Sequence, residues 1–223
     1  RGELLAAWQK ATPPDAPNRF VINIQPDQRQ AVADLLAADG IAAELSPMVR
    51  GRLMQIGDHP VSAASYPDDE RAQRLIEREF NLSWRAALPP GNRVSAGRWF
   101  APEDAGKGLA SIEEGLARTL GIEPGDELLF VIGGQETRVR VSSLRKLDWD
   151  SMRVNFFVLT PPGVLDDAPA SYITSFHLAA NQAALGQTLV ARFPNLTLID
   201  VGAILAQIQA IMGQVARAVQ FIF

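Results

Sequence analysis

The 223 residues include 47% hydrophobic side chains and carry a formal net charge of −4. That composition supplies a real core for one large domain or two smaller ones, and the acidic balance argues against a nucleic-acid surface. The absence of cysteine excludes a disulfide framework, thiolate metal ligands and a cysteine nucleophile.

No run reaches about 18 uninterrupted apolar residues, so no segment spans a bilayer by itself, and no signal peptide is visible. The chain opens on Arg1 without an initiator methionine. Glu3 to Lys10 can form a short helix with Leu4, Leu5 and Trp8 on one side. The proline-rich stretch Ala11 to Asn18 is a linker. Arg19 to Ile24 is β-branched and apolar, a strand. Pro26 then fits the first turn of a helix carrying Val32, Leu35 and Leu36, and Gly40 fits its stop. Ala42 to Ile56 reads as extended chain.

Asp68 to Glu79 is charged and helical in pattern. Leu82 to Trp84 and Val94 to Phe100 read as short strands, and Pro102-Glu103-Asp104 as a turn or helix start. Ser111 to Leu120 is expected to be a helix, with Ser111 and Glu114 as a capping box and Gly121 as its stop. Glu127 to Ile132, Gly133-Gly134 and Thr137 to Val141 form a hairpin. Asn155 to Leu159 is a strand stopped by Pro161-Pro162. A second strand–helix–strand unit follows in Ala170 to Leu178, Asn181 to Phe193 (Leu185, Leu189 and Val190 on one face) and Asn195 to Asp200. Two such units at opposite ends indicate a split α+β layer in ferredoxin-like style, with residues 80–160 as an inserted, mainly β subdomain.

The chain closes on an amphipathic helix. Val201, Ile204, Ile208, Ile211, Val215, Ala218 and Ile222 follow the three-then-four spacing of a heptad seam, with Arg217 as the single charge. Its end, Phe221-Ile222-Phe223, has no cap and no polar residue, so a longer parent chain is expected. Two readings stay open here: a stalk helix leading toward a membrane, paired with the N-terminal helix, or a core helix docked in a groove.

Catalytic chemistry finds little support. His59 and His177 are far apart and lack a second ligand at helical spacing. Gly106-Lys107-Gly108 lacks the preceding Gly and the following Ser or Thr of a phosphate loop. No Gly-x-Ser-x-Gly elbow is present. Asp68-Asp69, Glu113-Glu114 and Asp166-Asp167 are sequence neighbours, whose side chains diverge on either a strand or a helix, and read as solvated loop or helix-start charges. Trp84, Trp99 and Trp149 read as core. Phe156 and Phe157 point to opposite faces of their strand, so one is a candidate contact for a partner or an apolar ligand.

The run Ser111 to Val141, with Leu120-Gly121-Ile122-Glu123-Pro124-Gly125-Asp126 at its centre, resembles a segment of FtsX-like (LolC/MacB-type) ABC transporter permeases. The closer likeness is to their YbbP-type branch and covers nearly the whole chain. It is carried by Trp8-Gln9 through Ala16-Pro17-Asn18, Asn23-Ile24-Gln25-Pro26, Ser143 to Ser151, Asn155-Phe156-Phe157 with Pro161-Pro162-Gly163, and Asp200 to Leu205. The resemblance implies a large periplasmic domain of an inner-membrane permease, in these parts: 1–10 an N-terminal stalk helix, 19–79 and 161–200 a porter-like α+β layer, 80–160 a sabre-like β-rich subdomain, and 201–223 a C-terminal stalk helix leading to a membrane helix. Val201, Ile204, Ile208, Ile211, Val215 and Ile222 then become the stalk seam.

It further implies a non-catalytic domain with no cofactor of its own, ATP being bound by a separate cytoplasmic subunit whose hydrolysis moves the stalk to act on hydrophobic or lipid-linked cargo. The implied partners are that ATP-binding subunit, a second permease copy, a periplasmic lipase or thioesterase-type enzyme, and the membrane through flanking helices. Two alternatives remain beside it: a self-contained binding or chaperone module for hydrophobic ligands, and a hydrolase using dispersed carboxylates.

Overall fold

The computed structural model describes residues 14–222; the expected helix from Glu3 to Lys10 lies outside them. In chain order the elements are β1 (Arg19–Ile24), a 3-10 turn (Pro26–Gln28), α1 (Arg29–Ala38), β2 (Ser46–Ile56), β3 (His59–Pro60), α2 (Glu70–Glu77), β4 (Phe80–Trp84), β5 (Asn92–Gly97), β6 (Leu109–Glu113) and α3 (Glu114–Leu120). Then come β7 (Glu127–Ile132), β8 (Gln135–Leu147), β9 (Val158–Thr160), β10 (Ala170–Phe176), α4 (Ala183–Arg192), β11 (Thr197–Asp200) and α5 (Val201–Ile222). The mixed α+β class read from the sequence is the class observed.

The chain divides into two compact units. One takes the residues through Leu45, then 150–154, then Tyr172 onward. Here β1 is flanked by β10 and β11, antiparallel to both, with Arg19 opposite Asp200 on one side and Phe176 on the other. Val32 and Leu36 of α1 and Leu185 and Leu189 of α4 meet Val21, Ile24, Phe176 and Leu196 in one apolar core. Val190, expected on the buried face of α4, is 41% exposed; the helix begins at Ala183 and turns Leu185 and Leu189 inward instead.

A bulge interrupts β1 against β10 between Val21 and Ile24, where Asn23 adopts φ 67°. Such a conformation suits asparagine better than most residues. Asn23 and Asn195 exchange side-chain-to-carbonyl bonds of 2.9 and 3.0 Å, and Gln28 pairs with the Asn195 amide through both of its atoms. This lattice of neutral amides satisfies the main chain that the bulge frees.

The second unit holds residues 46–149 and 155–171. Its strand pairings close on themselves: β2 with β4, β4 with β9, β9 with β6, β6 with β8, β8 with β7, and β7 back to β2. Closure leaves β5, which pairs with β8, as an added strand. Inside lie Val49, Leu53, Leu82, Ile112, Leu128, Phe130, Val139 and Val141, joined by Ile76 of α2 and Leu116 and Leu120 of α3. The expected boundary at residue 80 is therefore displaced. Residues 46–79 belong with the β-rich unit because β2 supplies two of the pairings that close the ring. At the far side the boundary lies between Ser171 and Tyr172.

Two further expectations are corrected. Leu109 to Glu113 is a strand, not helix, because it is held by β8 on one side and β9 on the other. The cap of α3 is Glu113, whose carboxylate accepts from the amides of Gly115 and Leu116 at 2.8 and 2.6 Å; Ser111 is committed elsewhere. Gly121 does end the helix, in the left-handed region at φ 76°, and Asp126 accepts the Glu123 amide at 2.8 Å. Of Asn155 to Leu159, only Val158 and Leu159 are strand, within β9.

Gly97 is the tightest point in the second unit. It sits at φ 73°, and a Cβ there would run into the carbonyl oxygen of Ser142. Gly97→Ala combines backbone strain with a collision against main chain, and is expected to cost about 3 kcal/mol. A urea midpoint unchanged from the parent would contradict this.

Candidate functional site

The most distinctive surface is α5, which is fixed at one end and bare along its length. Its root is built from the two strands beside it. Asp200, the last residue of β11, accepts the Ala203 amide at 3.0 Å and so caps the helix. The same carboxylate pairs with Arg19 at 3.1 Å, its opposite number in the β1–β11 ladder. The Val201 amide donates to the Asn18 carbonyl at 3.0 Å. Asn18 in turn brackets Leu178: its side-chain amide donates to the Leu178 carbonyl, and its side-chain oxygen accepts the Leu178 amide. Gly202 stands beside the cap, where a Cβ would lie 3.3 Å from the Asp200 carboxylate.

Beyond the root the helix carries an uncovered apolar stripe. At about 100° per residue, Ile204, Ile208, Ile211, Met212, Val215 and Val219 fall within one arc, the width of a face that globular helices bury. All six are exposed, Ile211 by 59% and Val215 by 57%. Val201 is half-buried at the root, and the side chain of Ile222 lies outside the described residues. Among the described residues nothing covers the stripe. No described helix is long and apolar enough to cross a membrane.

A second cluster lies in the β-rich unit. Arg145 has no exposure at all. Its Nε donates to Ser111 Oγ at 2.8 Å, Nη1 to Asn92 Oδ1 at 2.6 Å, and Nη2 to the Phe156 carbonyl at 2.9 Å and, at 3.3 Å, to those of Ser111 and Phe157. Ser143 Oγ donates to Ser111 Oγ at 2.7 Å. Burial pushes the guanidinium down to about 10, opposed by the nearby Glu113 charge, so it remains charged at neutral pH. Every polar atom is used internally. The cluster therefore acts as a bolt joining β5, β6, β8 and the approach to β9, with no group free for chemistry.

Phe156 and Phe157 differ in exposure. Phe156 is 7% exposed, buried beside the bolt, and offers no contact surface. Phe157 is half-buried and meets Trp149 edge-on with ring centroids 5.6 Å apart. Trp149, read from the sequence as core, is 52% exposed, because its turn (Trp149–Ser151) follows the end of β8. Trp84 and Trp99 are half-buried.

The acidic neighbours serve the backbone. Asp69 caps α2 through the Ala72 amide, Glu113 caps α3, and Asp166 accepts the Gly163 amide. Lys107 pairs with Asp104 at 3.7 Å and the Gly106 amide donates to the Pro162 carbonyl, so the Gly-Lys-Gly run is occupied by its own fold. His59 is exposed on β3, and His177 Nδ1 lies 2.9 Å from the Ala16 carbonyl. Among the described residues no group of three or more His, Asp or Glu could hold a metal ion.

No family model matches the chain. Over 209 residues it is 41% identical to the uncharacterized ABC transporter permease YbbP of Escherichia coli (strain K12), a match covering 93% of this chain and 24% of that protein. The chain is related to a segment of an ABC transporter permease. It spans about a quarter of that relative's length. A solved domain from a protein of Porphyromonas gingivalis, described as a permease, matches with TM-score 0.40 and 14% identity, over 83% of this chain and 93% of that one.

Some of the segments on which the resemblance rests lie at the two clusters. Asn18 and Val201, from Ala16-Pro17-Asn18 and Asp200 to Leu205, meet at the root of α5, while Arg145 of the Ser143 to Ser151 segment donates to the Phe156 carbonyl of Asn155-Phe156-Phe157. Arg19 was not foreseen as part of the root. A signal for Asp200 did exist, since an Asp directly before an apolar helical run is a capping pattern.

Proposed function

We propose that this chain is the non-catalytic periplasmic domain of a permease subunit, with α5 as its stalk. ATP hydrolysis on a separate cytoplasmic subunit moves the stalk, and the domain passes that motion to hydrophobic or lipid-linked cargo or to a periplasmic partner. The unit built on β1, β10 and β11 is the porter-like part and the ring-closed unit the sabre-like part. The carrying observation is α5 itself. A helix rooted by a cap, an ion pair and a main-chain bond, yet bare over its apolar stripe among the described residues, fits a stalk that pairs with another helix, because a stripe of that size is unfavourable in water. The relative's 24% coverage leaves room for the membrane helices that would flank the domain. A second permease copy and a lipase or thioesterase-type enzyme are the proposed further partners.

An antibody to this chain tests the placement. In fractionated native cells the epitope is expected in the membrane fraction, on a protein much larger than 24.2 kDa, and is expected to be lost when spheroplasts meet external protease. A soluble protein near 24.2 kDa, or an epitope protected in spheroplasts, would overturn the reading.

A further inference from the structure

We propose that Asn18, Arg19 and Asp200 form a rigid joint rather than a hinge, positioning α5 on the β11–β1–β10 sheet so that the helix and its unit turn as one body. The proposal rests on the stalk reading and names the residues through which the motion passes. Hinges are short segments whose backbone absorbs large dihedral changes. The passage from β11 to α5 has no linker, Asp200 ending the strand and Val201 beginning the helix with no residue between them, so only this element-terminal backbone could flex, and side-chain and main-chain contacts hold it. Three contacts of different kinds then cross this point. They are the Asp200 cap on Ala203, the Arg19–Asp200 pair and the Val201 amide on the Asn18 carbonyl. One carboxylate serves two of them. Gly202 lies close beside it, a Cβ there standing 3.3 Å from the carboxylate oxygen. Asn18 extends the clamp by holding both main-chain groups of Leu178, just past β10. The joint thus ties α5 to β1 and to the end of β10 as well as to β11.

Spin labels are placed at A37C on α1 and Q209C on α5, both exposed positions of this unit; these 223 residues hold no native cysteine, and any cysteine elsewhere in the assembly is replaced by serine. Distances are measured by pulsed electron resonance in the full-length permease assembled with its ATP-binding subunit, with and without ATP. The wild-type joint is expected to give one narrow distance, unmoved by nucleotide. Asp200→Ala removes cap and ion pair together and is expected to broaden it. Asp200→Asn keeps a capping oxygen and is expected to broaden it less. A wild-type distance that shifts with ATP, or an Asp200→Ala distribution as narrow as wild type, would overturn the joint. Failure of the stalk reading looks different: the distance stays narrow, yet polar substitutions on the stripe leave transport intact.

Discussion

Arg145→Met is expected to destabilise the chain by about 3–5 kcal/mol, because several acceptors would be left without a donor at about 1–3 kcal/mol for each buried one. Methionine replaces most of the volume but none of the donors. Ser111 Oγ, Asn92 Oδ1 and the Phe156 carbonyl would each lose a bond of 2.9 Å or less, the first and last of these in buried surroundings. Those acceptors sit on β6, on β5 and before β9, so the loss is felt across the ring-closed unit. Arg145→Lys should recover little, because an ammonium cannot present the planar fork that reaches them all. The check is a urea titration: the midpoint falls while the slope stays that of the parent. A loss below about 1 kcal/mol, the size of one ordinary hydrogen bond, would show that the network can reorganise without its centre.

Local signals were legible in the sequence where the chain decides alone. β1 ran from Arg19 to Ile24 as its β-branched pattern required, Gly121 stopped α3, and the hairpin turned at Gly133-Gly134, where both residues have positive φ. What stayed hidden depends on partners distant in sequence. Ser111 to Glu113 carries a helix-start pattern, but two neighbouring strands claim it as β6. The boundary moved to Ser46 because β2 pairs with both β4 and β7, and strand pairing of that range cannot be read from periodicity.

The buried arginine left a trace in the alternation of β8. Val139, Val141, Ser143, Arg145 and Leu147 share the inward face, so a charge stood where an apolar residue was due. Of the candidate site, Ile204, Ile208, Ile211 and Val215 were legible as a heptad pattern, but Met212, Val219 and the exposure of the stripe were not. An apolar seam looks the same in sequence whether it meets its own domain or something beyond it.

That distinction is what the stalk account stands on. The double variant Ile208→Asn/Ile211→Asn puts amides at two positions exposed by 42% and 59%. In the isolated chain these side chains touch water already, so its melting temperature should stay within about 2 °C, as for other surface substitutions. The effect should appear only in the assembly. The measurement is ATP-dependent extraction of a fluorescent acyl-chain probe from proteoliposomes holding the full-length permease with its ATP-binding subunit. The account predicts that extraction falls to background while the isolated chain melts normally. Extraction equal to wild type, or an isolated chain that unfolds because α5 was packing against it, would contradict the account.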